Sequence, residues 1–156
     1  VVARLPARAA WAAGVPVFDR TPGRREAALA RGALQAVPSV DGLSVAEFDL
    51  AIDATGHPAA IGAALGALGT RGRLVQMGVA SPTATIPLNP YDVFAKELSI
   101  IGSNSLAEKY AESAERMVDL QGELGGLITS TFSLEDYAQA LDAATRPDPI
   151  QVQVVT

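Results

Sequence analysis

The 156-residue sequence contains no cysteine and a single histidine, His57. Disulfide bonds are therefore excluded, and this chain cannot supply thiolate ligands to a metal. Basic residues are also few, since twelve Lys and Arg stand against seventeen Asp and Glu and give a formal net charge of -5. Apart from the pair Arg24 and Arg25, they do not cluster. Nucleic acid and anionic membrane surfaces are therefore not expected as partners.

Long apolar runs are missing as well. The uncharged stretch of residues 54–70 is interrupted by Pro58 and by several glycines. It is shorter than the roughly 20 apolar residues of a membrane-spanning helix, so we expect no membrane segment. The lack of cysteine is compatible with a cytoplasmic setting. With 49% hydrophobic residues, the chain is long enough for one domain with a substantial core.

The segment Phe48–Gly78 carries most of the information about fold and function. It starts with the apolar run FDLAID, continues through Thr55 and Gly56 into the small-residue helix HPAAIGAALGAL, and ends with a second apolar strand, RGRLVQMG. This order predicts one βαβ unit. Because ligands bind outside the carboxyl ends of strands in open parallel sheets, we predict a ligand site after both strands.

Helices and strands also alternate on either side of this unit. We predict helices over residues 2–13, 22–31, 91–96, 105–120 and 133–144, and strands over residues 15–18, 98–102, 127–132 and 150–155. Thr21 and Gly32 suit the N-cap and the C-terminal stop of the second helix, and Ser105 begins a capping box. A loop is expected through Val40 and Gly42. The alternation predicts an α/β fold with a parallel sheet.

Five short segments follow one another in a recognisable order. They are the acid Asp19 after a strand, then DATG, QMGV, KEL and finally GS after the strand that follows. In this order the sequence resembles the cofactor-binding half of the medium-chain, zinc-type alcohol and polyol dehydrogenases. The resemblance covers nearly the whole chain. It implies a Rossmann-type doubly wound parallel sheet in a cytoplasmic enzyme that is a homo-oligomer.

The beginning of the chain departs from the family pattern. The family opens this domain with a strand and a Gly-x-Gly-x-x-Gly turn, whose glycines let the backbone approach the pyrophosphate. By resemblance, Ala3 occupies the third glycine position, and the first strand, most of the glycine-rich turn and the upstream catalytic domain are absent. We therefore expect residues 1–104 to be a partial dinucleotide-binding domain. Residues 105–156 would be a segment that packs against the catalytic domain.

Asp19 is the first candidate for a cofactor contact. An acid at the end of the second family strand accepts hydrogen bonds from the adenosine ribose hydroxyls and repels the 2′-phosphate of NADP, which implies a preference for NAD. A simpler role for Asp19 is to favour the dipole of the helix that follows. Arg20 and Arg24 lie close by in sequence, and a guanidinium there could pair with a 2′-phosphate, so NADP stays open as the alternative.

The resemblance implies cofactor contacts at three further strand ends. The candidates are Thr55, Gly56 and His57 near the adenosine and pyrophosphate, Met77, Gly78 and Val79 near the nicotinamide and its ribose, and Ser103, Asn104 and Ser105 near the carboxamide. Simpler roles are a loop or cap position for His57, core packing for Met77 and a helix cap for Ser105. A lone histidine without ligand partners predicts neither a metal site nor a catalytic base.

The function implied by the resemblance is hydride transfer between a secondary alcohol or polyol and NAD or NADP. Zinc would polarise the substrate oxygen, but its ligands and all catalytic residues would lie outside this chain. The zinc-free quinone and enoyl reductases of the same superfamily are a second interpretation, and a noncatalytic nucleotide-binding fragment is a third. A methyltransferase also has a glycine-rich turn and an acid after its second strand, but it gives no reason for the KEL segment.

Overall fold

A computed structural model describes residues 14–43, 47–104, 109–124, 126–146 and 148–156. The helix predicted over residues 2–13, with Ala3, lies outside this part of the chain, as does Ser105. The chain divides into a first unit, Val1–Pro38 with Glu108–Thr156, and a second unit, Ser39–Ala107. Among the described residues, no helix is long and apolar enough to cross a membrane.

The described elements alternate between strands and helices over most of the chain. In chain order they are β1 (Val17–Phe18), α1 (Pro22–Ala30), β2 (Ala36–Val37), a 3-10 turn (Val40–Gly42), β3 (Phe48–Asp53), α2 (Pro58–Gly66), β4 (Leu68–Gln76), α3 (Pro90–Ala95), β5 (Ser99–Gly102), α4 (Tyr110–Asp119), α5 (Gln121–Leu124), β6 (Ile128–Ser133), α6 (Tyr137–Thr145) and β7 (Gln151–Val155). Every strand pair in this set is parallel. The predicted α/β class is therefore confirmed.

In the first unit, β1 pairs with β2 and β6 pairs with β7. Helix α1 begins after Thr21 with Pro22 in its first turn, where the missing proline N–H costs nothing. It ends before Gly32, whose φ of 78° is the left-handed conformation that glycine adopts without strain. Ala28 of α1 is fully buried, and Ala140 of α6 is nearly so. These small side chains therefore let α1 pack closely on β1 and β2, and α6 on β6 and β7.

Two sequence predictions in the first unit were wrong in detail. Strand β2 was missed, because two residues are too few to produce a period-2 pattern. The last helix was predicted to begin at Ser133, but α6 begins at Tyr137 with Asp136 as its N-cap residue. Ser133 instead closes β6, and its hydroxyl lies 3.2 Å from the Asp136 carboxylate in the turn that precedes the helix.

In the second unit, β3, β4 and β5 form one sheet with β4 in the centre. The core is built from Ile61, Ala64 and Leu65 of α2 against Leu68 and Leu74 of β4, and the two β4 side chains are almost fully buried. Strand β4 begins earlier than the predicted strand and contains an irregularity that shifts its register against β3. The regular part of the sheet therefore lies toward the carboxyl ends of the strands.

Candidate functional site

The carboxyl ends of β3, β4 and β5 lie side by side at one edge of the second unit. Asp53 is paired with Gln76, and Gln76 with Gly102, in the parallel register. The Ser103 amide donates to the Gln76 carbonyl at 3.0 Å, which extends the alignment one residue beyond β5. The segments that follow these three strands therefore lie together at one edge of the sheet. We call this edge the strand-end site.

Asp53 is the buried centre of the strand-end site, with only 3% of its surface exposed. One carboxylate oxygen accepts from the Thr55 hydroxyl at 2.6 Å and from the Thr55 amide at 3.1 Å. The other accepts from the Gly56 amide at 2.9 Å and from Gln76 Nε2 at 2.7 Å. The Asp53 carbonyl accepts from the amides of Met77 and Gly78, both at 2.9 Å. Asp53 thus holds the turn after β3 against the turn after β4.

The charge of Asp53 is maintained by these donors rather than by a cation. Burial is the largest single influence and raises the pKa of the carboxyl group. The hydrogen bonds from Thr55, Gly56 and Gln76 act in the opposite direction and together outweigh burial, so the pKa of Asp53 lies below its ordinary value. The group is therefore ionised near neutral pH, and both of its oxygens are used within the fold.

The Gln76 side chain links Asp53 to the second turn. Its Nε2 donates to Asp53 Oδ2 and to the Gly78 carbonyl, each at 2.7 Å. Its Oε1 is covered from solvent and accepts no hydrogen bond from the described residues. Buried acceptors without a donor are rare in folded proteins, so this oxygen is an unusual feature of the site.

Gly56 and Gly78 are glycines because the two turns touch through their backbones. A Cβ on Gly78 would lie 2.1 Å from the Gly56 nitrogen, and a Cβ on Gly56 would lie 2.2 Å from the Val79 carbonyl oxygen. Gly56 also has a φ of 68°, which disfavours other residues. Both glycines therefore serve turn packing, and no larger side chain fits at either position.

In the first unit, Asp19 follows β1 and lies in the turn that leads into α1. Its Oδ1 accepts from the Thr21 amide at 2.8 Å. This bond satisfies one of the amides at the start of the helix. No described residue donates a hydrogen bond to the second carboxylate oxygen. Asp19 therefore keeps one acceptor available to a ligand at the end of β1.

The arginines near Asp19 have different partners. Arg25 donates through Nη1 to the carbonyls of Asp19 and Arg20 at 2.7 and 2.8 Å, so it braces the turn. Arg24 donates to the Pro149 carbonyl at 3.2 Å, and its Nε is buried without a partner among the described residues. Arg20 is exposed. Of the two arginines predicted to compete for a phosphate, Arg20 is thus the more accessible.

The other predicted site residues differ in exposure. His57 is exposed and is the N-cap residue of α2, although its side chain makes no capping bond; its amide donates to the Thr55 hydroxyl at 3.0 Å. The Met77 and Val79 side chains are 51% and 94% exposed, so Met77 is not a core residue. Ser103 and Asn104 are exposed beyond β5.

The described residues contain no group of three or more His, Cys, Asp or Glu side chains that could hold a metal ion. With no cysteine and one histidine in the sequence, the chain does not fit the usual zinc ligand sets. A dinucleotide fits better, because carboxylate and backbone groups stand at the carboxyl ends of parallel strands.

A separate groove of about 480 Å³ runs along α2 and α3. Its walls include Leu65, Val93 and Leu98, with Asp92 and Lys96 at its polar side. Leu98 precedes β5, so the groove lies toward the amino ends of the strands. It contains none of the predicted cofactor residues.

Parallel strands joined by helices, with polar and glycine-containing turns at the carboxyl ends, define a Rossmann-type α/β protein. The model of a family described as zinc-binding dehydrogenase matches residues 5–120. The chain belongs to that family, and it corresponds to the cofactor-binding part of the medium-chain alcohol and polyol dehydrogenases, as the sequence predicted.

Individual relatives agree with this assignment. D-arabinitol dehydrogenase 1 of Uromyces fabae is 22% identical over 107 residues, which are 69% of this chain and 31% of that protein. A zinc-binding dehydrogenase of Clostridium scindens superimposes with a TM-score of 0.84 at 24% identity, over 97% of this chain and 45% of that one. A zinc-binding dehydrogenase of Sinorhizobium meliloti, solved with NADP, gives 0.82 at 20% identity, over 97% and 47%. The chain thus spans less than half the length of these relatives.

Sequence reasoning assigned no site role to Asp53, Gln76 or Arg25. The sequence marks Asp53 only as the end of a strand, and it does not report that the carboxylate turns inward. Gln76 had a weak signal, because it is the one polar residue in the apolar run LVQM. Arg25 forms a basic pair with Arg24 in the sequence, and sequence alone does not tell which of the two guanidinium groups faces the turn.

Proposed function

We propose that this chain binds a nicotinamide dinucleotide, with NAD preferred over NADP, as the cofactor-binding part of an alcohol or polyol dehydrogenase. The observation that carries the proposal is Asp19. It stands at the end of β1 with one carboxylate oxygen bonded to the Thr21 amide and the other available. A carboxylate at this place in a Rossmann-type fold can accept a ribose hydroxyl, and its charge repels a 2′-phosphate.

The division of roles follows the family resemblance. Asp19 would contact the adenosine ribose, Thr55, Gly56 and His57 would line the adenosine and pyrophosphate, and Met77, Gly78 and Val79 would face the nicotinamide. Exposure of Met77 and Val79 supports this part of the proposal, because exposed side chains beside a strand end are available to a ligand. Ser103 and Asn104 would lie near the carboxamide.

The substrate side of the proposal rests on the relatives. Their names include a polyol dehydrogenase, which supports a small alcohol or polyol as the substrate of the reaction. The bound cofactor would accept or return a hydride at its nicotinamide ring. No described residue is proposed as a zinc ligand, so the part of the reaction assigned to this chain is cofactor binding.

Calorimetric titration of the chain with NAD and NADP tests the proposal. The unchanged protein should bind NAD more tightly than NADP. In Asp19→Ala the loss of a ribose acceptor should weaken NAD binding by about 1 to 3 kcal/mol and reduce the preference. Asp41→Ala, which removes an exposed acid elsewhere, is the control and should change neither affinity.

A variant of Arg20 tests the opposite preference, for NADP over NAD. If NADP binds more tightly than NAD in the unchanged chain, the proposed preference is wrong, and Arg20→Ala should then remove the NADP advantage. Arg24→Ala is the comparison, since the Arg24 guanidinium is engaged by the Pro149 carbonyl. If the unchanged chain binds neither NAD nor NADP, the proposed function is wrong.

Self-association is a further part of the proposal. Tyr91 and Phe94 of α3 are 69% and 80% exposed, and exposed apolar side chains close together often mark contacts between chains. Light scattering after gel filtration should give a mass above that of one chain, and a monomer would contradict this part alone.

A further inference from the structure

The amide of Gln76 has one orientation only. Both atoms within hydrogen-bonding distance of its nitrogen, Asp53 Oδ2 and the Gly78 carbonyl oxygen, are acceptors. The two N–H groups must therefore point at them, and Oε1 must point away. That oxygen is buried without a hydrogen bond from the described residues. The fold thus leaves one acceptor unpaired in order to keep both donors in place.

Those two donors connect the turns of the strand-end site. On the β3 side, Gln76 donates to the Asp53 carboxylate, which also accepts hydrogen bonds from Thr55 and Gly56. Toward the end of β4, it meets the carbonyl of Gly78, the residue between the exposed side chains of Met77 and Val79. The backbone of the Met77–Val79 segment is thus held by Gln76, which is itself fixed by Asp53, in addition to the bonds from the Met77 and Gly78 amides to the Asp53 carbonyl.

We propose that Gln76 is a positioning residue that aligns the Met77–Val79 backbone for the nicotinamide half of the dinucleotide. The inference rests on the proposed function, which places this segment beside the nicotinamide. A carboxamide suits the role, because it alone among side chains of this length offers two donors to two acceptors without adding a charge. Glutamate of the same length cannot donate when ionised, and methionine of similar shape cannot donate at all.

Binding of the two halves of NAD, nicotinamide mononucleotide and AMP, distinguishes a positioning role of Gln76 from a general loss of structure. Calorimetry with NAD, nicotinamide mononucleotide and AMP should show about tenfold weaker binding of NAD and of the mononucleotide to Gln76→Met, while AMP binding is unchanged. Asp19→Ala should show the reverse pattern, with AMP weakened and the mononucleotide unchanged. Equal weakening of both halves in Gln76→Met, or no weakening of the mononucleotide, would overturn the inference.

Gln76→Glu adds a second, independent measurement. The groups that donate hydrogen bonds to Asp53 belong to Thr55, Gly56 and Gln76, and all of them are uncharged. A glutamate at position 76 would therefore place a second negative charge next to the Asp53 carboxylate. Two carboxylates at this distance share a proton with a raised pKa. Lowering the pH from about 8 to about 5 should then return the melting temperature of Gln76→Glu part of the way toward that of the unchanged protein, because the protonated carboxyl supplies one of the two lost donors.

Gln76→Met is the control for that pH series, because it has no group at position 76 to titrate, and its deficit should stay constant. A Gln76→Glu deficit that is equally constant would overturn the donor role. Failure of the proposed function has a different signature, namely no binding of NAD or the mononucleotide by the unchanged chain. Failure of this inference alone is binding by the unchanged chain that Gln76→Met retains in full.

Discussion

The Cβ position of Gly78 lies 2.1 Å from the backbone nitrogen of Gly56. The same position lies 2.6 Å from Asp53 Oδ2 and from the Thr55 nitrogen. The turn after β4 is thus pressed against the turn after β3 more closely than any side chain permits. This contact, together with the Asp53 hydrogen bonds, constrains the backbone of the strand-end site.

Gly78→Ala should therefore destabilise the chain. The added methyl group meets backbone atoms that cannot rotate away, and overpacking of this kind costs about 1 to 3 kcal/mol. Gly56→Ala should cost at least as much, because its φ of 68° adds strain. The free energy of unfolding in urea measures both effects.

The control is Gly62→Ala in α2, where nothing lies within 4 Å of the added atom. Alanine favours a helix interior over glycine by about 1 kcal/mol, so this variant should be more stable than the unchanged chain. Equal effects at positions 62 and 78 would show that the turns are looser than described.

Asp53 should make the stability of the chain depend on acid pH. Its pKa is lower in the folded chain than in the unfolded one, so its stabilisation is complete above the unfolded pKa of about 3.9. It is lost as the pH falls through the folded pKa, when the protonated carboxyl releases its donors. Asp53→Asn should lose about 1 to 3 kcal/mol at pH 7 and should flatten the fall of the unfolding free energy below about pH 4. A variant with the same acid dependence as the unchanged chain would contradict this account.

Lys96 should contribute more to the free energy of unfolding than Lys109, although both lysines have a hydrogen-bonding partner. Its ammonium group donates to the carbonyl of the fully buried Leu68 at 2.9 Å. Lys96→Met should lower the free energy of unfolding by about 1 to 2 kcal/mol, because it removes a charged donor from a main-chain acceptor. Lys109→Met is matched to it: Lys109 pairs with Glu112 at 2.8 Å, but both are well exposed, so little change is expected. Chemical unfolding of the two variants side by side decides the comparison.

Hydrogen exchange should divide the C-terminal part of the chain. Helix α4 has no buried residue, and its apolar side chains Tyr110, Met117 and Val118 are 71%, 59% and 66% exposed. A helix of this length is marginal without packing, so its amides should exchange quickly. The amides of β3 and β4 should be far slower, and those of α6, which buries Ala140, intermediate. Protection of α4 equal to that of β4 would contradict the expectation.

The βαβ unit could be predicted from the sequence because its signals are local. An apolar run that ends in Asp53, a proline at the start of α2 and a glycine-bounded second strand each specify backbone conformation without help from distant residues. The order of segments shared with the family also predicted that Asp19 follows a strand. In contrast, β2 pairs over only two residues, Ala36 and Val37, so its existence depends on the neighbouring strand and leaves no pattern.

The internal chemistry of the site could not be predicted, because it depends on side-chain direction across the sheet. Asp53 and Gln76 are separated along the chain by the whole of α2 and meet only in the register of β3 and β4. Nor does the sequence distinguish a glycine that admits a ligand from one that admits another turn. In the structure, Gly56 and Gly78 each allow the close approach of the neighbouring turn.

The pairing pattern of the strands also bears on how the chain acquires its fold. In each described sheet, a strand pairs with the next strand along the sequence, and each pair is closed by one short crossover. The entropic penalty of loop closure rises only slowly with length and stays modest for such short connections. Pairing of neighbours also keeps contact order low for a parallel sheet. During synthesis, β3, α2 and β4 can therefore assemble as soon as they leave the ribosome, before β6 and β7 exist.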